Sequence, residues 1–353
     1  MNSSLMNRPA LSVVVCTYNR AHQLPPALDA LLAQTGDVDY EVVVVDNNSR
    51  DHTSAVVRHA ADRSHGRLRY AFEPKQGLSH ARNLGLELAT APIVAFSDDD
   101  VRVAPDWAKQ VLDAFAAHPE VHYVGGRVLP RWTALPPRWL TTAHWSPLAL
   151  QDYGEEPFIC GRDRAVCLVG ANLAFRREVF DRVGTFAPEL GRIRDGIGST
   201  EDHDLQLRLW RAGLRGLYSP DVIVTADVTA DRMVKAYHRR WHRGHGRHCA
   251  AMRLRELVPS DQGPMTEPRD IVTLFGAPGF VYADAMLFAR HWLKAIVARQ
   301  DSFFYANKLR HILSYVRASS RLRRPDRART TVQELFSFAR AYARKRRAIR
   351  AAS

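Results

Sequence analysis

The chain has little that could cross-link it or anchor it across a bilayer. Its four cysteines, Cys16, Cys160, Cys167 and Cys249, form no CxxC pair and follow no metal-finger spacing, which excludes a disulfide framework and a zinc module. The opening MNSSLMNRPA runs toward a strand without an apolar h-region, so we read a reducing, cytoplasmic interior. No run of 18 apolar residues occurs, and the most apolar late stretch, 271–283, is interrupted by Gly276, Pro278 and Gly279. That argues against a spanning helix and leaves surface attachment open. Internal repeats are absent, as is low-complexity sequence outside the Arg/Ala-rich end.

What the chain does have is length and apolar content. Its 353 residues are 46% hydrophobic, enough for one large α/β domain with an appendage. The formal charge of +13 is unevenly placed. Residues 302–353 hold 14 Lys/Arg and two acids, leaving 36 bases against 35 acids in residues 1–301. A neutral body therefore carries a basic tail, and the whole is not a uniformly basic nucleic-acid binder.

Strand and helix signals alternate along the first hundred residues. The β-branched run at Leu11–Cys16 and the short apolar runs at Glu41–Val45, Leu68–Phe72 and Pro92–Phe96 read as strands, and the segments after Leu24 and Thr53 and over Leu78–Leu88 have helical spacing. This order predicts a mainly parallel sheet flanked by helices, with ligands at the carboxyl ends of its strands. Residues 130–160, rich in Pro and Trp, read as an irregular covering loop. Regular signals return at Gly170-Ala171-Asn172, in a helix over 201–212, and in a strand at Val222–Thr225.

Three polar clusters sit where such a sheet would bind a ligand. Asp98-Asp99-Asp100 at a strand end repel one another unless a cation or donor groups offset them, and oxygen-only ligands suit Mg²⁺ or Mn²⁺; an acidic cap on the next helix is the alternative. Asp46 ends a neighbouring strand and can accept from a nucleobase N–H or a ribose hydroxyl, or simply form an Asx turn. Glu201-Asp202-His203-Asp204 opens a helix, where a carboxylate could act as general base on an acceptor hydroxyl or serve only the helix terminus.

In order along the chain, VVVCTYNR, EVVVVDNNSRD, GLSHARNLGL, VAFSDDDV, GANLAFRREVF with VGTFAPELG, and STEDHDLQLRLWRAG resemble family 2 glycosyltransferases over residues 10–245. The resemblance implies a GT-A fold, a nucleotide-diphosphate sugar donor, a divalent cation and inversion at the anomeric carbon, in synthesis of a cell-surface polysaccharide or glycolipid. It assigns Thr17, Tyr18 and Asn19 to the nucleotide pocket, Asp46 to the base, and Arg82 to the diphosphate. Asp98 and Asp100 match the outer members of the DXD motif, flanking Asp99, with Asp100 the metal ligand and Asp98 nearer the ribose. Asp202 matches the base, with Glu201 competing. Two departures stand out: Asn47 replaces a second acid beside Asp46, and Ala226-Asp227 replaces a histidine that completes the metal site, so Asp227 is either a substitute oxygen ligand or a solvent-facing aspartate at a strand end.

The domain reading is a catalytic domain over 1–245, with a nucleotide half at about 10–125 and an acceptor half at about 126–245, then a basic helical region over 246–353. Trp132, Trp139 and Trp145 fall on the acceptor side, where aromatic faces suit a sugar or lipid carrier and core packing is the plainer account. Arg240, in a basic helix just beyond, is a candidate for closing on the diphosphate. The alternation of aromatic and aliphatic residues with arginines from Phe275 onward suits helices lying on an anionic membrane, a helical subdomain with a basic, solvated face being the alternative. The expected partners are thus a nucleotide-sugar donor, a glycan or lipid-linked acceptor and an anionic surface, with no nucleic acid. The setting is cytoplasmic, or peripheral on the inner face of a membrane.

Two other classes compete. A sugar-phosphate nucleotidyltransferase would carry a Gly-rich basic loop after the first strand, which CTYNRAHQL lacks. A basic nucleic-acid-binding protein would need its charge on the body as well as the tail.

Overall fold

A computed structural model describes residues 8–193, 200–259, 262–266 and 271–322, and residues 335–336, 338–340 and 343 beyond them. It divides into two compact units, Met1–Met233 and Val234–Ser353.

The first unit is built on a nine-stranded sheet whose main path runs β3-β2-β1-β4-β8-β6-β9-β5, with β7 against β9. The strands are β1 Leu11–Thr17, β2 Tyr40–Asp46, β3 Leu68–Phe72, β4 Ile93–Asp98, β5 Val101–Val103, β6 Tyr123–Trp132, β7 Phe158–Cys160, β8 Asn172–Arg176 and β9 Gly216–Val228. β1 to β4 are mutually parallel, and so are β6 and β9. β8 lies antiparallel between β4 and β6, and β5 and β7 run against β9. Six of the nine strands therefore share one direction, as an alternating strand–helix sequence requires.

The central strands are buried on both faces, which is why VVV and VVVV runs replace polar alternation. Helices α1 Leu24–Leu32, α2 Thr53–Arg63, α3 Leu78–Leu88 and α4 Trp107–Ala117 supply the cover. α1 begins on Pro25 and Pro26, which lack N–H groups its first turn would leave unbonded, and it buries Leu24, Leu28 and Leu31. Each of these leucines contributes about 1.5–3 kcal/mol. α3 lies close on β1 because residue 85 is glycine: a Cβ there would stand 2.3 Å from Val14 Cγ1.

The Pro/Trp-rich segment is largely irregular, with single 3-10 turns at Thr142–His144 and Ser146–Leu148 before β7. Beyond it come α5 Val179–Val183 and α6 Glu201–Arg211. β9 is far longer than Val222–Thr225, because a register shift opposite Gly126/Arg127 lets it continue past Pro220.

The second unit contains α7 Lys235–Ala251, α8 Leu254–Leu257, a hairpin of β10 Thr273–Leu274 and β11 Ala277–Pro278, α9 Gly279–Val297 and α10 Phe303–Leu322. α7 is continuous through residue 245. Its small core joins Cys249, Ala250, Ala277, Val281, Ile312 and Tyr315. Contacts advance in step along α7 and α10, from His238 against Phe303 to His245 against His311, so these helices lie parallel.

Candidate active site

Strand register places the polar clusters on one rim. Thr17 is paired with Asp46 across β1 and β2, and Cys16 with Asp98 across β1 and β4. Two asparagines turn the chain away beyond these ends, Asn19 and Asn48, both left-handed at φ 51° and 65°. Asn19 also joins the two loops: its N–H donates to Ser49 Oγ at 2.8 Å, and its Oδ1 accepts from the Arg50 N–H at 2.7 Å. Tyr18 stands half-buried between them.

Asp46 is buried, accepting from Ser49 N–H at 2.9 Å and from the Tyr70 hydroxyl at 3.0 Å. Burial, and then the Asp46 charge, push the Tyr70 phenol up to about 12, so it remains a donor. The Asn47 amide is committed to the loop before α3. It donates to Lys75 O at 2.8 Å and accepts from Gly77 N–H at 2.7 Å.

Beyond β4, arginines hold the aspartate trio. Arg20 Nη1 lies 2.8 Å from Asp99 and 2.9 Å from Asp100, whose carboxylate is also 3.7 Å from Arg232. Arg82 Nη2 lies 3.5 Å from Asp98. Burial lifts Asp98, and Asp100 adds to it, against the pull of Arg82. Burial likewise lifts Asp99 to about 6 although Arg20 opposes it. Asp100 moves the other way: burial is outweighed by Arg20, Arg232 and Arg192, which keep it ionised.

Arg82 connects this rim to α6, 119 residues further along the chain, by donating to Glu201 Oε1 at 2.5 Å. Its guanidinium is buried, packed over the Phe186 ring, and faces these two carboxylates. The pair at the start of α6 thus separates into two environments. Glu201 is 1% exposed and bound to Arg82, whereas the Asp202 side chain is 14% exposed. Asp202 Oδ2 accepts from Gly170 N–H at 2.9 Å, and Oδ1 lies 3.2 Å from His203 Nδ1. Residue 170 must be glycine for this approach, since a Cβ would meet Asp202 Oδ2 at 2.9 Å and Arg82 Nη2 at 3.0 Å. Burial alone would raise the Asp202 carboxyl, but the His203 charge and hydrogen bond bring it down to about 2. His203 rises in return, Asp202 overcoming burial.

Thr17, Asp46, Asp98, Asp99, Asp100, Arg82, Glu201 and Asp202 are therefore gathered by the sheet register and by Arg82. Asp227 lies elsewhere in its contacts: Arg131 and Arg102 hold its carboxylate, and only its backbone N–H reaches Asp100 O, at 3.0 Å. Arg240 belongs to the second unit, where its guanidinium lies 5.9 Å from the Tyr237 ring centroid. Among the described residues no three His, Cys, Asp or Glu side chains stand together in a metal-holding arrangement.

Arg20, Arg192, Arg232 and His203 escaped the sequence reading. Arg20 closes the CTYNR segment, and three consecutive acids demand nearby cations, so it was the one within reach of inference.

A mainly parallel sheet with acids and arginines concentrated at its carboxyl rim defines an α/β domain of the GT-A class. Over residues 12–184 the sequence matches the model of glycosyl transferase family 2. A solved mannosyltransferase of Pyrobaculum calidifontis, in complex with GDP-mannose and Mn²⁺, is similar in fold, with a TM-score of 0.57 and 22% identity over 91% of this chain and 89% of its own. A glucosyl-dolichyl phosphate glucuronosyltransferase of Haloferax volcanii is 28% identical over 221 residues, 59% of this chain and 66% of that protein. A validoxylamine A glucosyltransferase of Streptomyces hygroscopicus is 45% identical over 111 residues, 31% of this chain and 26% of that protein. The match thus spans less than two thirds of either relative. Residues 12–184 of this chain are therefore a glycosyl transferase family 2 region.

Proposed function

We propose that the first unit transfers a glycosyl group from a nucleotide-diphosphate sugar to an acceptor hydroxyl, with inversion. The observation that carries this is the Arg82 link, which brings the DXD-type acids of β4 and the α6 carboxylates to one rim. In the proposed step the acceptor oxygen attacks the anomeric carbon as the bond from that carbon to the diphosphate oxygen breaks. Asp202 accepts the hydroxyl proton, and the nucleoside diphosphate leaves with the bonding pair. Asp202 is favoured over Glu201 because its carboxylate reaches solvent while Glu201 is closed in by Arg82. His203 and the Gly170 N–H fix its orientation.

Asp46, Thr17, Tyr18 and Asn19 form the nucleotide end of the site, and Asn47 contributes by holding the loop before α3. Asp99 is neutralised by Arg20 at the base of the motif, and Arg82 orients Asp98 rather than meeting the diphosphate directly. Asp98 and Asp100 fit Mg²⁺ or Mn²⁺: two hard oxygen donors, one of them kept ionised, leave positions for phosphate oxygens. Such an ion supplies charge stabilisation to the departing diphosphate. Asp227 joins them only if it leaves Arg131 and Arg102.

The acceptor class is a glycan or lipid-linked sugar, a reading supported by the lipid-linked substrate in the name of the Haloferax relative. The proposed role is in cell-surface polysaccharide or glycolipid synthesis, in the cytoplasm or peripheral on the inner face of a membrane. A thermal-shift panel of UDP, GDP and dTDP with and without Mn²⁺ tests the site. One nucleotide should stabilise the protein only with metal, and Asp100→Ala should abolish the effect. Metal-independent stabilisation retained in Asp100→Ala would overturn the assignment.

A further inference from the structure

The second unit turns an apolar stripe outward. Along α9, Met286, Leu287, Leu293 and Val297 recur at helical spacing, and they are exposed by 68%, 51%, 56% and 84%, with Ile296 beside them. Arg290 and Lys294 lie on the same side, both exposed. The aromatics of this region point the other way: Phe280, Tyr282 and Phe288 pack on the small core, and Phe303 is buried. The outward face is thus aliphatic and basic, and residues 285–300 contain no acid.

Charge around the stripe is mostly of one sign. α7 carries five Lys/Arg and α10 four, with no Asp or Glu in either. Burial, and then the nearby Arg239 and Arg243, hold Arg310 below its usual value. Among the described residues the acids of this unit pair locally, Glu256 with Arg253, Asp284 with Arg255 and Asp301 with Lys235. Residues 234–353 hold 25 Lys/Arg against eight Asp/Glu, so most of these cations have no anion of their own unit to offset them.

We propose that the outward face of α9 is an interfacial docking surface for an anionic phospholipid bilayer, its aliphatic residues seated at the acyl boundary and Arg290 and Lys294 against lipid phosphates. Among the described residues no helix is long and apolar enough to cross a membrane, so the helix lies in the surface plane. A second copy fits poorly, because an isologous contact through this stripe would bring only cations to Arg290 and Lys294. A nucleic acid would use the cations but leave five aliphatic side chains in water. The inference goes beyond glycosyl transfer and stands without it.

The test is co-sedimentation of the full chain with vesicles of phosphatidylcholine alone or with phosphatidylglycerol. Binding should require the anionic lipid and weaken with salt. Leu293→Glu/Val297→Glu should reduce binding about tenfold or more, and Arg290→Gln/Lys294→Gln about fivefold with a flatter salt dependence. Both variants alter exposed residues, so their circular dichroism and melting should match the wild type, and their nucleotide-dependent thermal shift should be unchanged. Four results would overturn the proposal: undiminished binding by Leu293→Glu/Val297→Glu, equal binding to neutral vesicles, RNA binding without vesicle binding, or a dimer dissolved by Leu293→Glu. Each leaves the nucleotide site to its own assay.

Discussion

On the rim of the first unit five acids face four arginines and a histidine, whereas the parallel helices α7 and α10 of the second hold nine Lys or Arg and no acid. The first arrangement is compensated from within. Arg20, Arg82, Arg192 and Arg232 keep the acids folded together in the absence of ligand, and a diphosphate with its cation would exchange partners with groups already in place. The second is compensated only in part, as where Asp301 stands 4.0 Å from Lys235, and keeps an excess of cations. One region is thus organised to rearrange charge during a reaction, and the other to attract an oppositely charged surface.

The largest effect should come from Asp202→Asn, which removes the proposed base without changing its volume. Turnover should fall about 10³-fold while the metal-dependent thermal shift by nucleotide persists; steady-state kinetics and melting together check both. Glu201→Ala should instead strike stability, because it leaves the buried Arg82 charge with only the longer 3.5 Å contact to Asp98. A loss of about 3 kcal/mol is expected in denaturant unfolding, and an unchanged midpoint would mean that the rim is not compensated through this pair.

A smaller effect should follow from His203→Asn. The His203 contribution is fully present below about 6.5 and lost as pH rises through its elevated folded value, whereas the Asp202 contribution is present above about 3.8 and lost as pH falls toward about 2. The melting difference between wild type and variant should therefore be greatest between about pH 4 and 6.5 and shrink above it. A difference independent of pH would contradict the ion pair. The smallest change should come from Arg310→Gln, which relieves repulsion from Arg239 and Arg243. A gain of about 0.5 kcal/mol is expected in low salt, fading as salt is added. Destabilisation like that of Glu201→Ala would erase the contrast between the units.

Much of the first unit was legible because its strands are short apolar runs, several of them β-branched and closed by polar clusters, and period and punctuation are local properties. α3 and β3 even begin and end where the spacing puts them. Strand direction is not local: GANLAF reads as a strand, but nothing in it shows that β8 runs antiparallel between β4 and β6. The acids of the site were legible as strand and helix termini, yet their partners were not. The Arg82–Glu201 contact joins residues 119 apart, and Asp227 meets Arg131 only because β6 pairs with β9. In α9 the composition did not say which of its aromatic and aliphatic residues face outward. Packing divides them, since large rings such as Phe280 and Phe288 bury the most area against the small core, leaving aliphatic residues outside.

In the proposed reaction a cation and a nucleoside diphosphate replace arginine as partners of Asp98 and Asp100. A crystal grown with Mn²⁺ and the stabilising nucleoside diphosphate, read by manganese anomalous scattering, tests that directly. The predicted result is a peak coordinated by Asp100 and Asp98 with diphosphate oxygens on it, and Arg20 withdrawn from Asp100. An intact Arg20–Asp100 pair with no peak at the rim, and the nucleotide bound elsewhere, would contradict it.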